Sequence, residues 1–330
     1  MDECIWKVCV KRVLKECLAV AICFLTIIFF QSRLAFASDF EKEIESLFSL
    51  PEEKIDIGIT ALTLAKEIYP EIDIDVYSAL IDYEVGRART MTNGCTDPDY
   101  RIRVLNTLLF QIIGIKYDLA DPEGENFKNR TLNGLLDRRK GNCASMPILY
   151  IAIAQRLGYP VYAVPVPDHL FVRYVDSNLN EQNIEASGGG GYISDEDYIK
   201  ELQISEKGIK SGAYLRPLTR KELLARQVTE NAIYWGQHGD IKRAIKYLEL
   251  SLNASPSSPE INDRLGRAYL LYSKSLEGEE AKEYVTKGNF YKSKAIDLGL
   301  VMPPQSSDFL MDNNDKPESL GLKATTFKQR

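Results

Sequence analysis

The stretch that decides the fold is "RRKGNCASMPILYIAIAQRLGYPVYAVPVPDHLFVRY", residues 138–174. It sets one cysteine, Cys143, ahead of an apolar helical run, and one histidine, His169, at the head of a β-branched and aromatic run. Asn142 and Ser145 are cap-type residues, and Pro147 lacks the N–H that only a first helical turn can spare. The helix is therefore expected to start between Cys143 and Ser145, with the thiol at its tip. Unpaired N–H groups and the helix dipole favour the thiolate there. Gly158 reads as the C-cap of this helix and Pro160 as its stop.

Beyond the helix, "VYAVPVP", "HLFVRYV" and "NIEAS" read as three short strands, the last two as a hairpin. Placing His169 opposite Glu185 sets Phe171 against Asn183 and Arg173 against Glu181, a favourable cross-strand charge pair, and centres the turn on Ser177. A cysteine nucleophile needs a base within hydrogen-bond reach and a third group to orient that base. Cys143, His169 and Glu185 are the candidates for nucleophile, base and orienting carboxylate. The backbone N–H of Cys143 and the side chain of Asn142 are the candidate oxyanion donors. Each residue also has a plainer reading. Free cysteine usually packs as a small hydrophobe, a lone histidine is more often structural, and Glu185 could be a solvated strand carboxylate. Arg138, Arg139 and Lys140 read either as a solvated helix end or as a cationic hold on the thiolate or an anionic substrate group.

The N-terminus reads as an export signal. Lys7, Lys11, Arg12 and Lys15 precede an apolar run from Cys17 to Phe30, and Ala35-Phe36-Ala37 offers small residues at a cleavage site. The alternative is an uncleaved N-terminal membrane anchor. The chain carries 41 basic and 47 acidic residues, of which residues 1–37 hold 5 and 3, leaving 36 and 44, or −8. An acidic exported chain without a basic cluster is a poor nucleic-acid binder. Cys4, Cys9, Cys17 and Cys23 leave with the signal, so Cys95 and Cys143 remain, and an oxidising compartment would permit them to pair. His169 and His238 are the only histidines, so histidine-dependent chemistry has almost no choice of residue. Metal binding by Cys95, Cys143, His169 and Glu185 is the weaker alternative, because no Cys-x-x-Cys or His-x-x-x-His spacing exists. No cofactor is expected.

Organisation follows from the periodicity. Residues 38–100 form an N-terminal helical region, in which "LPEEKIDIGITALTLAKEIYP" carries Pro51 and two glutamates in a first turn and Pro70 as a stop. Asp97-Pro98 caps the next helix. Residues 101–200 form an α+β core, and residues 201–302 a helical region in which Thr219 caps one helix. Within it, "GDIKRAIKYLELSLNASP" resembles a tetratricopeptide repeat through Gly239, Ala244 and Pro256, and a looser copy follows with Gly266, Ala268 and Tyr269. Residues 303–330 are polar and expected to be disordered.

The order Gly141-Asn142-Cys143 before an apolar helix, then "HLFVRY" and "NIEASGG", resembles the transglutaminase-like superfamily of papain-type cysteine enzymes. It is most similar to the bacterial SirB-type branch, through Asn129, Leu132, Asn133, Leu136, Arg138, Arg139 and Gly141 over roughly residues 55–200. The resemblance implies an α+β fold with a papain/transglutaminase-like core, a helix packed on a small antiparallel sheet. It also implies a triad on Cys143, His169 and Glu185, and acyl transfer on an amide bond of a peptide or protein. The third member is commonly aspartate in the superfamily and is glutamate here. Relatives of this branch have often lost the cysteine, which this chain keeps. A catalytically inactive module that binds peptides or proteins together with the helical repeats is the alternative function.

Overall fold

Short polar caps set the helix boundaries in a computed structural model, which describes residues 40–176 and 181–301. The presumed signal, the centre of the β4–β5 turn expected at Ser177 and the C-terminal tail lie outside the described residues. The chain divides at Ser46/Leu47 into two units; the unit from Leu47 onward holds every element named below.

Glu52 and Glu53 form only a 3₁₀ turn, Glu52–Lys54. Asp56 then accepts the N–H of Ile59 and starts α1, Ile57–Ile68, later than the Pro51 start the sequence favoured. An Asp side chain that can reach the third residue's N–H outweighs the Pro-Glu-Glu signal. Helix α2 covers Ile74–Thr92, and α3, Pro98–Asn106, begins at the expected Asp97-Pro98 cap and continues as a π-helical stretch, Thr107–Ile113. Two residues, Lys116–Tyr117 (β1), pair in parallel with Lys140–Gly141 (β2) on the far side of α4, Leu132–Arg138. Helix α5, Met146–Leu157, has Pro147 in its first turn and ends at Gly158, whose φ is 74°. Strands β3 (Val161–Val166), β4 (His169–Val175) and β5 (Glu181–Ile184) follow as an antiparallel sheet in that order. Short helices α6 (Asp195–Glu201) and α7 (Glu206–Lys210) lead to α8 (Arg220–Gln237), which opens with a Thr219/Glu222 capping box. The chain then runs through α9 (Ile241–Ala254), α10 (Pro259–Ser273) and α11 (Gly278–Asp297), each packed on the one before.

The architecture is mostly helical with small sheets, an α+β arrangement. The period-2 alternation of β4 explains how the sheet sits. Leu170, Val172 and Tyr174 face α5 and the main core, which also takes Ile57, Leu62 and Ile81 from α1 and α2. Phe171 points the other way, against Tyr198, Ile204 and Tyr214, so both faces of the sheet are covered. Tyr198 stacks on Phe171 with ring centroids 4.5 Å apart.

The β4–β5 register differs from expectation by two residues. Arg173 pairs with Asn183 and Val175 with Glu181, where the sequence placed Arg173 opposite Glu181. A slip of two leaves every side chain on its own face, so the charge pair survives on the diagonal. The buried Arg173 reaches Asn183 at 2.7 Å, Glu181 at 2.7 Å and Asp195 at 2.5 Å. Three acceptors satisfy the guanidinium better than one, which accounts for the register.

Candidate active site

A polar knot builds the turn that carries Cys143. The backbone C=O of Asn129 accepts the N–H of Asn142 at 3.1 Å and the Ser145 hydroxyl at 2.6 Å. The Asn129 side chain donates to Asp118 and Asp121 and accepts from Arg138. Arg138 also pairs with Asp118 at 2.8 Å, and Lys140 with Asp118 at 3.4 Å. Burial opposes the Asp118 charge, yet donors from Asn129, the Ala120 backbone and Lys140 hold its pKa below the usual value. Two of the three cationic residues before the cysteine, Arg138 and Lys140, are thus tied to Asp118, while Arg139 is exposed. Arg138 and Lys140 brace the loop, and Arg139 closes α4 in the left-handed conformation with φ 55°. Tight packing makes two glycines obligatory here: a Cβ on Gly134 would lie 2.2 Å from the Lys128 carbonyl, and one on Gly141 2.3 Å from Ser145 Oγ.

Cys143 thus sits in a turn just ahead of α5, half-buried, with its Sγ 3.9 Å from the carbonyl of Asp168. The Asn142 side-chain oxygen accepts the Ala144 N–H at 2.9 Å and caps the turn. That oxygen is committed to holding the turn, and the Cys143 N–H donates to no acceptor among the described residues. Cys95 lies in the loop between α2 and α3, its carbonyl accepting from Arg101; both thiols are free. Among the described residues no group of three His, Cys, Asp or Glu side chains is arranged to hold a metal ion.

His169 opens β4 directly after the two-residue Pro167-Asp168 turn, where Asp168 takes φ 48°. The two-residue register slip puts Glu185 diagonal to His169 on the same face, and the contact is made: Nε2 lies 2.7 Å from Glu185 Oε2. The neighbouring Cys143 side chain also favours the charged form of the ring. Burial disfavours the imidazolium, but the Glu185 charge and the hydrogen bonds to Cys143 and Glu185 outweigh it and push His169 up to about 10. Burial likewise opposes the Glu185 charge. Its His169, Tyr198 and Ser187 partners nevertheless hold the carboxyl below the usual glutamate value.

Glu185 owes these partners to its place at the strand end. It bridges Gly191 and starts a 3₁₀ turn, Ala186–Gly188, whose Ser187 N–H donates to Oε1 at 2.9 Å. Tyr198 donates to Oε2 at 2.7 Å. The solvated-carboxylate reading of Glu185 does not hold, since the residue is 2% exposed.

Four residues of this neighbourhood escaped the sequence reading of the site. Tyr198 and Arg226, which donates to the His169 carbonyl at 3.3 Å, arrive through tertiary packing and leave no local signal. Tyr117 reaches the turn through the β1–β2 pair. Burial first, then the nearby Cys143 charge, raises its pKa to about 12. Asn129 stood within the recognised motif, and its role in bracing the turn could have been sought there.

Residues 75–229 match the family model of the Transglutaminase-like superfamily. That match takes in Cys143, His169 and Glu185. Two proteins named UPF0162 protein, from Xylella fastidiosa strains Temecula1 and 9a5c, are each 26% identical over 232 residues, covering 68% of this chain and 81% of theirs. Among solved structures, menin, in a crystal structure that reveals its binding site for the Mixed Lineage Leukemia (MLL) protein, is 12% identical. The overlap covers 77% of this chain and 70% of that one at a TM-score of 0.44, too distant a likeness to bear on fold or partners.

Proposed function

We propose that this chain is an exported cysteine enzyme acting on amide bonds of peptides or proteins, with Cys143 as nucleophile, His169 as proton carrier and Glu185 as orienting group on a papain/transglutaminase-like core. The observation that carries the reading is the 2.7 Å contact of the His169 ring with a buried, multiply bonded Glu185, with Cys143 Sγ 3.9 Å from the adjoining Asp168 carbonyl. A histidine raised to about 10 is protonated at neutral pH, so it can pair with a thiolate and hold the proton the leaving group will need.

In the first step Sγ bonds to the amide carbon as the C–N bond breaks, and the His169 proton passes to the departing nitrogen. The acyl group is then a thioester on Cys143. In the second step water, or an amine, attacks that carbon and yields its proton to His169 while the C–S bond breaks. Water gives hydrolysis and an amine gives transamidation. The Cys143 N–H, at the tip of the turn, is a donor for the developing oxyanion. Helices α8 to α11 are read here as tetratricopeptide-like, a surface that could receive the rest of a protein substrate.

Trapping tests the reading. The protein is mixed with the p-nitrophenyl ester of an N-acetylated dipeptide, quenched in acid and examined by mass spectrometry. An acyl adduct on Cys143 is expected, absent in Cys143→Ala and slowed in His169→Ala. Saturable binding of peptides with no adduct at any time would favour a non-catalytic binding module instead.

A further inference from the structure

Behind the nucleophile turn lies a pocket with room of about 40 Å³. Its aliphatic walls are Leu64, Leu132, Ile148, Leu170 and Leu223, and Ala144 and Ser145 form the end nearest Cys143. Two polar side chains that line it, Gln227 and Thr131, are buried, and Gln227 is only 9% exposed. Among the described residues, both amide atoms of Gln227 and the Thr131 hydroxyl have no hydrogen-bond partner. Buried polar groups left unpaired forfeit their hydration without compensation. Since a water needs roughly 10–15 Å³ of such space, the pocket accepts more than one water, or a group of a few heavy atoms.

The chemistry of the lining selects the ligand. Gln227 offers an acceptor, Oε1, and a donor, Nε2, side by side. An anion would satisfy only the donor and a cation only the acceptor; a primary amide satisfies both, its C=O accepting from Nε2 and its N–H donating to Oε1, as do the N–H and C=O of one residue in an extended peptide. At the rim Arg130 and Glu230 pair at 2.9 Å, and Arg226 is engaged with the His169 backbone carbonyl at 3.3 Å. The remaining walls are small and aliphatic. We propose that this pocket binds a neutral amide bearing a small aliphatic group, as in a primary amide or an extended alanine or valine residue of a peptide. Ala144 follows Cys143 and Leu170 follows His169, so an occupant lies within one residue of each along the chain. The pocket's role as a substrate contact rests on the acyl-transfer reading, whereas the binding itself does not.

The test titrates N-acetyl-valine N-methylamide and, separately, isobutyramide into the full chain. Binding is followed by NMR at the Gln227 side-chain amide, which is assigned by its loss in Gln227→Met. A saturable shift of that resonance is expected, with unchanged affinity in Cys143→Ser. In Thr131→Val, and in Gln227→Met followed at neighbouring Leu223 and Ile148 methyls, binding weakens by about tenfold, or 1.4 kcal/mol. Binding of the dipeptide mimic alone assigns the pocket to peptides, and binding of isobutyramide alone assigns it to free small amides. No saturable shift with either probe, or equal affinity in both pocket variants, overturns the proposal. A protein that binds amides in this pocket yet forms no acyl adduct refutes the enzyme reading and leaves the pocket standing.

Discussion

At the scale of single residues, the His169–Glu185 contact ties stability to pH. His169 rises from its ordinary 6.5 to about 10, so its contribution is complete below about 6.5 and disappears as pH climbs through about 10. Glu185 is held below its ordinary 4.5, so its contribution is present above that value and lost as pH falls through the depressed one. The pair is therefore most stabilising between about 4.5 and 6.5. The melting-temperature difference between wild type and Glu185→Gln should be largest in that window and shrink towards zero above pH 10. A difference independent of pH would mean that the two groups are not charged partners.

Elements carry the geometry that puts those residues in contact. Gly134 lets α4 pass over the Lys128 carbonyl, and Gly134→Ala forces a shift there. The cost should be about 1–3 kcal/mol in urea unfolding, with slower alkylation of Cys143, because the displaced segment is a 3₁₀ turn, Phe127–Asn129, that carries Asn129. Unchanged alkylation would separate the Asn129 knot from the reactivity of the thiol. Much of this level was legible beforehand. The Asp97-Pro98 and Thr219 caps act within three residues of themselves, and Gly158 stops α5 for reasons local to its own φ. The start of α1 was misjudged because two cap signals competed within six residues. The β4–β5 register was off by two because pleat parity fixes the face of a strand and not its offset. The choice between offsets fell to Asp195, a partner of Arg173 outside the hairpin. Glu185 could be placed on the face of His169 from alternation alone. Its burial by Tyr198 could not, since that contact forms only when α6 folds over the sheet.

At the scale of the whole molecule, the helices before and after the sheet are fastened to each other. Glu67 of α1 is buried, which raises its pKa despite bonds from Tyr247 and Asn231. It accepts from Asn231 of α8 at 2.8 Å and from Tyr247 of α9 at 2.6 Å, while Arg243 lies over the Trp235 ring. The sequence holds two tryptophans, Trp6 and Trp235, so Trp6→Phe leaves Trp235 as the single indole. Trp235 fluorescence and far-UV circular dichroism should therefore trace one urea transition. Two separated midpoints would show that the C-terminal helices fold apart from the rest. Arg226 of α8 extends the same coupling to the β3–β4 hairpin through the His169 carbonyl. Arg226→Met should accordingly slow Cys143 alkylation, with rescue by Arg226→Lys; equal rates in all three proteins would mean that α8 does not position His169.

The most direct test of the account is the rate at which iodoacetamide modifies Cys143 as a function of pH, read at the Cys143 peptide by mass spectrometry in wild type and His169→Ala. An activated pair predicts fast reaction already at pH 6, reduced by about tenfold or more when the imidazole is removed. A profile that rises only at alkaline pH and is the same in both proteins would contradict the pairing of Cys143 with His169, and with it the proposed chemistry.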